Sequence, residues 1–293
     1  MSFVRRKIEL TFQLGKGAFG LDGSDTVVIG GVRVQCIVTS AVGPSLGNAN
    51  LRIHGLNPSL LNQLSALNST DIADRANRII IKAGDDKVGM STVFEGQVNL
   101  SQIDMSSTPD VALNVLAFAG QLEALRTSDP VSYPGSADAA VILANLAHKM
   151  GMTFENNGVS VQLATPYYPG SLLDQARQCA DEAGIKMFID HGEPGKNTMA
   201  IWPRDGKRGE FIPLISPSTG LVGYPGYASG KMGGITVKCL FNPQLRLGGL
   251  ARVESDLQVA NGQWQMNEIS HDLDSETPGG LWFTHFVGSA YGQ

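Results

Sequence analysis

The sequence predicts a β-dominated α+β fold, with two antiparallel β-barrel domains flanking a small α/β insertion. Three observations carry this expectation. Short apolar–polar alternations bounded by turn residues recur through residues 8–119 and again through 211–288. The two best helix patterns stand together between them, in residues 131–192. Glycine is abundant, 35 of 293 residues, as turn-rich β proteins require. The expected domains are residues 1–126, the first barrel; 127–210, the insertion; and 211–293, the second barrel.

In chain order, residues 8–14 alternate strictly, with Ile8, Leu10, Phe12 and Leu14 on one face of a half-buried strand. After a glycine-rich turn come strands at 26–29 and 32–39, with Gly30-Gly31 between them as a hairpin turn. A strand at 49–55 precedes a short helix at 58–67, capped by Asn57 and opened by Pro58. Strands at 78–83, 92–100 and 111–119 complete the first set. Closure into a barrel would remove the sheet edges that invite association.

Residues 127–134 carry two prolines and no apolar pattern, and so form a linker. Tyr133-Pro134-Gly135-Ser136 and Tyr168-Pro169-Gly170-Ser171 then introduce the two helices, at 137–150 and 172–183. In each, Pro and Gly set a turn and Ser caps the helix start. Asp174 completes a capping box in the second copy, and Gly151 and Gly184 close the helices. Strands are expected at 153–163, broken at Asn156-Asn157-Gly158, and at 186–190 and 199–203. Beyond residue 211, strands are expected at 212–215, 221–224 and 235–239, and at 250–259, 264–273 and 281–287. Tyr224-Pro225-Gly226 forms a plain turn, and Asn261-Gly262 a tight hairpin.

Composition narrows the function classes. Net charge is −5, which argues against a general nucleic-acid binder. Cys36, Cys179 and Cys239 are widely separated and suit free, buried thiols. Arg5-Arg6-Lys7 is followed by alternating residues rather than an apolar signal core, and the longest apolar run, 139–144, cannot span a bilayer. A soluble protein without a visible export signal is expected.

No motif assembles a catalytic, cofactor or metal site. Gly15-Lys16-Gly17-Ala18-Phe19-Gly20 matches G-x-G-x-x-G but leads into more loop instead of a helix. Gly43-Pro44-Ser45-Leu46-Gly47 matches G-x-S-x-G but precedes a strand. His54, His148, His191, His271 and His285 show no metal spacing. His271-Asp272-Leu273-Asp274 with Glu276 is the most acidic cluster, with oxygen ligands for a hard cation or, more simply, a solvated turn. Trp282-Phe283-Thr284-His285-Phe286 is an aromatic strand suited to a core or a subunit contact. The chain reads as a scaffold and not an enzyme.

The order of several segments carries a resemblance. Leu51-Arg52-Ile53-His54-Gly55-Leu56, Asn62-Gln63-Leu64-Ser65, Ala83-Gly84-Asp85 and Ser91-Thr92-Val93-Phe94-Glu95-Gly96 resemble the first barrel of contractile-tail baseplate hub proteins. Segments 132–139, 153–159, 214–220, 240–243 and 270–280 extend the likeness over most of the chain. The group includes phage late-control protein D relatives and the N-terminal part of type VI secretion spike proteins. The resemblance implies two similar barrels joined by an α/β insertion. It also implies a homotrimer whose six barrels match a sixfold tail tube above and a threefold spike below, around a lumen that passes DNA. Expected partners are tube or tube-initiator proteins, a separate spike protein and other baseplate proteins, with no membrane anchor. The expected location is the virion tail baseplate, after assembly in the bacterial host cytoplasm. The chain ends at Gln293, so the spike is expected to be a separate protein. The mildly acidic chain suits a channel that does not hold DNA. The competing readings are a tail-associated cell-wall hydrolase, with two acids meeting in a pocket, and a carbohydrate- or receptor-binding tail protein, with an exposed aromatic cleft.

Overall fold

The computed structural model describes residues 5–19, 23–43, 45–65, 76–106, 108–192, 196–228 and 234–292. The first β set comprises β1 (Arg6–Gln13), β2 (Thr26–Gly30), β3 (Val34–Ala41), β4 (Asn48–His54), β5 (Arg78–Asp85), β6 (Gly89–Asp104) and β7 (Ala112–Phe118). Helix α1 (Pro58–Leu64) follows β4, with Asn57 accepting the Leu60 N–H at 2.8 Å. Its expected end at Leu67 lies outside the described residues. The short helix α2 (Gln121–Leu125) follows β7.

The insertion holds β8 (Val131–Ser132), β9 (Ser136–Asp138), α3 (Ala139–Lys149), β10 (Thr153–Asn156), β11 (Gln162–Ala164) and β12 (Tyr167–Tyr168). It continues with α4 (Leu172–Glu182), β13 (Ile185–His191) and β14 (Asn197–Pro203). The second β set is β15 (Leu214–Ile215), β16 (Gly226–Ala228), β17 (Gly234–Leu240), β18 (Leu250–Val253), β19 (Gly262–Ser275) and β20 (Trp282–Ala290).

The two β sets form one ladder, ordered β16-β17-β20-β19-β3-β4-β7-β6-β5-β1-β2, with β18 on β19 and β15 on β18. The joint is β3 against β19, antiparallel from Val34↔Ser275 to Ala41↔Glu268. Two long strands turn the corners. β6 pairs with β5 through residue 97 and with β7 from residue 97 onward, with a register shift at Val98/Leu100. β19 pairs with β18 at its start and with β3 further on, and shifts register against β20 at Met266/Glu268. A bulge bends its strand and increases the local twist, so each long strand can serve two sheets. By hydrogen bonding the path is open among the described residues, from β16 to β2.

The insertion is clamped between two cores. Its central sheet, β10-β14-β13, is parallel between β10 and β14 and antiparallel between β14 and β13. Ile189, Met199 and Ile201 join the cluster that contains Ile142, Leu146 and Leu173 of the helices. Phe188, Ala200 and Trp202 join a second cluster with Val237, Trp264 and Phe286. A strand buried on both faces reads as a continuous apolar run, as Met199–Trp202 does. Gly248 shows how tight this contact is. A Cβ there would lie 2.4 Å from the Trp202 ring, and the residue sits at φ +80°.

Arg208 fastens the same junction. It is 3% exposed and donates to Asp190 Oδ2 at 2.6 Å and to Glu155 Oε1 and Oε2 at 3.0 and 2.9 Å. Its backbone N–H bonds the Gly248 carbonyl at 2.9 Å. Burial alone would raise the Asp190 carboxyl. The neighbouring His191 and Arg208 outweigh it and hold the group well below the usual carboxylate range. Nearby, burial pushes His271 down to about 4, with His191 adding to the shift and Asp190 opposing it. Its Nδ1 is 2.9 Å from Thr284 Oγ1.

Several local expectations change. Gly30-Gly31 does not close a hairpin: β2 pairs with β1, and β3 pairs with β4 and β19, so the glycines carry the chain between distant ladder positions. Ser136 does not cap α3, because it pairs within β9 against Ala164 of β11. Asp138 caps the helix instead, accepting the Ala140 N–H at 2.8 Å. Ser171 does cap α4, and the capping box with Asp174 is complete. Gly151 and Gly184 close the helices at φ +72° and +63°.

The expected linker 127–134 is held in place. β8 pairs with β12, and the buried Gln175 donates to Asp129 O at 3.0 Å. The expected strand 153–163 is β10 and β11, which lie in different sheets. The expected strand at 221–224 is reduced to one bridge, Leu221↔Cys239, and Tyr224-Pro225 leads directly into β16. The expected strand 250–259 stops at Val253. Loop 254–261 holds a single 3-10 turn, Gln258–Ala260, so Asn261-Gly262 is not a two-residue hairpin. Asn261 Oδ1 accepts the Ser255 N–H at 2.7 Å and Gly262 opens β19.

Ser171→Ala and Asp138→Ala are each expected to cost about 1 kcal/mol in urea denaturation. Ser136→Ala is expected to cost less than about 0.5 kcal/mol; an equal loss there would return the cap to Ser136. Arg208→Met is expected to cost about 3–5 kcal/mol, because it leaves Asp190 buried and uncompensated.

The fold is also expected to weaken in acid. Unfolded His271 takes up a proton near its ordinary value of 6.5, and the folded residue does so only near 4. Stability is therefore full above pH 6.5 and falls as the pH drops towards 4. Asp190 has a depressed value, so its contribution is present above the ordinary carboxylate range and is lost below it. Denaturation curves for His271→Gln should flatten between pH 6.5 and 4 and keep the loss at lower pH.

Candidate functional site

The strand run β6-β7-β4-β3-β19-β20-β17 presents one buried and one accessible face. Alternation puts Leu51, Cys36, Leu273, Thr284 and Cys239 inward. The opposite face carries Leu116, Asn50, Ile37, Asp272, Phe283 and Leu240, which stand in register as one row across the sheet. A second row runs Gln102, Asn114, Arg52, Gln35 and Asp274. A third runs Phe118, Asn48, Thr39, Ser270, His285 and Lys238. Depressions of about 470 and 330 Å³ lie on this face. The larger contains Ile37, Asn50, Arg52, Asp272 and Asp274, and the smaller Tyr224, Thr236, Lys238, Glu268 and His285.

The charges on this face follow a pattern. Arg52 and Lys238 stand among four carboxylates, Asp104, Glu268, Asp272 and Asp274. Both cations have partners on the same face: Arg52 bridges Asp104 at 2.9 Å, and Lys238 Nζ sits 4.1 Å from the Phe283 ring centroid. Asp272 pairs with His285 Nε2 at 3.2 Å and accepts from Ser270 Oγ at 3.2 Å. Asp274 accepts the Leu281 N–H at 2.9 Å. What remains is a surface of mixed polar and apolar side chains, weakly acidic, with Arg52 and Lys238 already engaged.

The sequence candidates fall as follows. The loop that opens at Gly15 lies between β1 and β2, with Leu14 N–H on Asp25 O at 2.8 Å, and among the described residues no helix follows it; Gly20 lies outside them. Gly43–Gly47 joins the antiparallel pair β3 and β4, again without a following helix, and Pro44 lies outside the described residues. The acidic cluster is divided by alternation: His271 is buried, while Asp272 and Asp274 face outward. Among the described residues no three His, Cys, Asp or Glu groups converge as metal ligands do. Along the aromatic strand Trp282 and Phe286 enter the core, while Phe283 and His285 join the accessible face.

The three cysteines are free and buried. Burial raises the Cys36 and Cys239 thiols to about 12 and Cys179 to about 11. Among the described residues no helix is long and apolar enough to cross a membrane.

Sequence reasoning singled out parts of this face, Asp272, Asp274 and Phe283, without seeing that they belong to one surface. Their neighbours Gln35 and Asn50 carry no motif, and Arg52 stands out only within the segment Leu51–Leu56. The signal available was the polar half of each alternating strand.

The fold recurs in solved structures of very different sequence. The E. coli c3393 protein is described as a component of the type VI secretion system with structural similarity to T4 bacteriophage tail proteins gp27 and gp5. It superposes with a TM-score of 0.61 at 10% identity, over 89% of this chain and 74% of that one. The tail protein from Neisseria meningitidis gives 0.62 at 8% identity, over 96% of both chains. A chain of the Francisella PdpA–VgrG complex gives 0.56 at 9% identity, over 98% of this chain and 58% of that one. No curated protein matches the sequence. Residues 8–279 match the family model described as baseplate hub gp41. The chain belongs to the baseplate hub gp41 family, which places it in the tail baseplate of the virion.

Proposed function

We propose that this chain is a structural hub subunit that forms a homotrimeric ring and adapts a sixfold tail tube to a threefold spike. The accessible face of the long sheet lines the channel through which DNA passes. The observation that carries this reading is the state of its cations. A wall with free Lys or Arg side chains would bind phosphates and release counterions, and so hold the passing duplex. Here Arg52 and Lys238 are already engaged, by Asp104 and by the Phe283 ring, and the carboxylates are in excess.

The bulged corner strands β6 and β19 support a division into two tube-like barrels, residues 1–126 and 211–293, flanking an insertion at 127–210. In that division the insertion braces the barrels through Trp202 and Arg208. The partners are tube or tube-initiator proteins above, a separate spike protein below and other baseplate proteins. The solved Francisella neighbour, a chain of the PdpA–VgrG complex, supports partners of the spike class. Assembly takes place in the host cytoplasm, without a membrane anchor. Asp272 and Asp274 are both committed to hydrogen bonds within the chain, which favours a wall over a hydrolytic acid pair.

Solution mass and electron micrographs of the purified chain with its tube and spike partners are expected to show threefold rings. A chain that stays monomeric under those conditions would overturn the reading. The variant Gln35→Lys/Asn50→Lys/Glu268→Lys is expected to form rings that retard duplex DNA at low salt and release it as salt rises. The unaltered ring should not retard it.

A further inference from the structure

Where the insertion meets the long sheet, β13, β3, β19 and the loop 245–247 surround a cavity of about 20 Å³. That is room for about one water. Its polar wall is His271 of β19, Asp190 and His191 of β13, Arg246 of the loop and Ser40 of β3. The remaining wall is apolar.

The groups around His271 leave little choice of partner. From β13 it is faced by Asp190 and His191, and from the loop by Arg246. The Phe241 ring meets it edge-on, 5.4 Å between centroids. From β20 Thr284 Oγ1 stands 2.9 Å from its Nδ1, while His285 lies on the other face of that strand, paired with Asp272. From β3 the opposed residue is Val38. Asp190 is the carboxylate on the cavity wall, and both its oxygens are engaged. Oδ2 accepts from Arg208 at 2.6 Å. Oδ1 accepts the His191 N–H at 2.8 Å and stands 2.9 Å from His191 Nδ1. Behind it, both oxygens of Glu155 accept from Arg208.

We propose that this cavity is an acid-operated latch: a proton taken from solvent by His271 releases the insertion from β19, while the β3–β19 ladder stays paired. A neutral ring fits the site as it stands. A protonated ring would be a buried cation facing Arg246 and His191, with the nearest carboxylate already committed to Arg208 and His191. Charge in so dry a place is costly, and parting the two surfaces lets water reach it. The ladder from Val34↔Ser275 to Ala41↔Glu268 consists of backbone hydrogen bonds, which do not titrate in this range. The insertion is held to β19 by side chains, through the packing of Phe188 and Trp202 and through the Arg208 group. The latch is a property of the single chain and stands apart from the ring reading.

The direction follows from burial. The closed site holds His271 at about 4, against an ordinary value of 6.5. Acid therefore favours the form in which the ring is wet, and the ratio of open to closed rises up to about tenfold per pH unit between 6.5 and 4.

Thiol labelling reads this opening. Ala200 is fully buried on β14 and packs into the second core with Phe188 and Trp202. Full-length Ala200→Cys, labelled with a dithiodipyridine that reacts in acid, is compared with a free thiol at the same pH. The unaltered chain, whose own thiols are buried, sets the background. Labelling is expected to speed up by as much as about tenfold per pH unit from 6.5 towards 4. Adding His271→Gln, which keeps a partner for Thr284 and gains no charge, should flatten the profile. Amide exchange over residues 34–41 and 268–275, corrected for its intrinsic pH dependence, should stay slow throughout. If Ala200→Cys itself loosens the core, acrylamide quenching of Trp202 in the Trp264→Phe/Trp282→Phe chain reads the same opening. A flat profile in the parent chain, or an equal rise with His271→Gln, would overturn the latch. So would loss of ladder protection at the pH where labelling begins, since that is unfolding of the whole chain.

Discussion

The backbone ladder between β3 and β19 is the contact on which the rest of the molecule depends. It joins segments near opposite ends of the chain: Ser275 Oγ reaches Val32 O across 243 positions. Without it the structure would be two separate β units connected by an insertion. With it there is one sheet, and one accessible face that crosses from the first set to the second. Such a pairing gains little until the intervening chain has been ordered, because loop closure must come first. The insertion reduces that difficulty by placing its central sheet against both cores.

Phe188, Ala200 and Trp202 on one face of the insertion, and Ile189, Met199 and Ile201 on the other, make that placement a matter of hydrophobic burial. Arg208 then sets the register. Its guanidinium meets two carboxylates from β10 and β13, while its backbone holds the loop at Gly248. A buried ion group of this kind adds little net stability compared with an apolar replacement, but it permits few alternative arrangements. The same polarity at the junction, with His271 buried close by, underlies the expected weakening of the scaffold in acid.

The accessible face, proposed above as the channel wall, illustrates how a surface can be assembled without a motif. Asp272 and Asp274 were conspicuous in the sequence because they are close together and acidic. Arg52 and Lys238 were not, since a lone cation on a strand is ordinary. Their meaning comes from what lies next to them across the ladder, Asp104 for one and Phe283 for the other. The described residues of the G-x-G-x-x-G and G-x-S-x-G strings lie between paired strands, β1 and β2 for one and β3 and β4 for the other.

Local chemistry determined what the sequence alone could show. Alternation over residues 8–14 marked β1, Asn57 and Pro58 opened α1, and Ser171 with Asp174 opened α4, because each signal involves neighbours within a few residues. Segment order over most of the chain was enough to indicate the hub family. Tertiary structure decided the rest. An alternating strand declares that one face is buried, but not which strand lies beside it, so Gly30-Gly31 looked like a hairpin and the β3–β19 joint was invisible. Ser136 and Ser171 share a motif, yet only Ser171 caps, because β11 claims Ser136 first. Backbone hydrogen bonds are alike at every residue, and only the packing of the whole chain selects their partners.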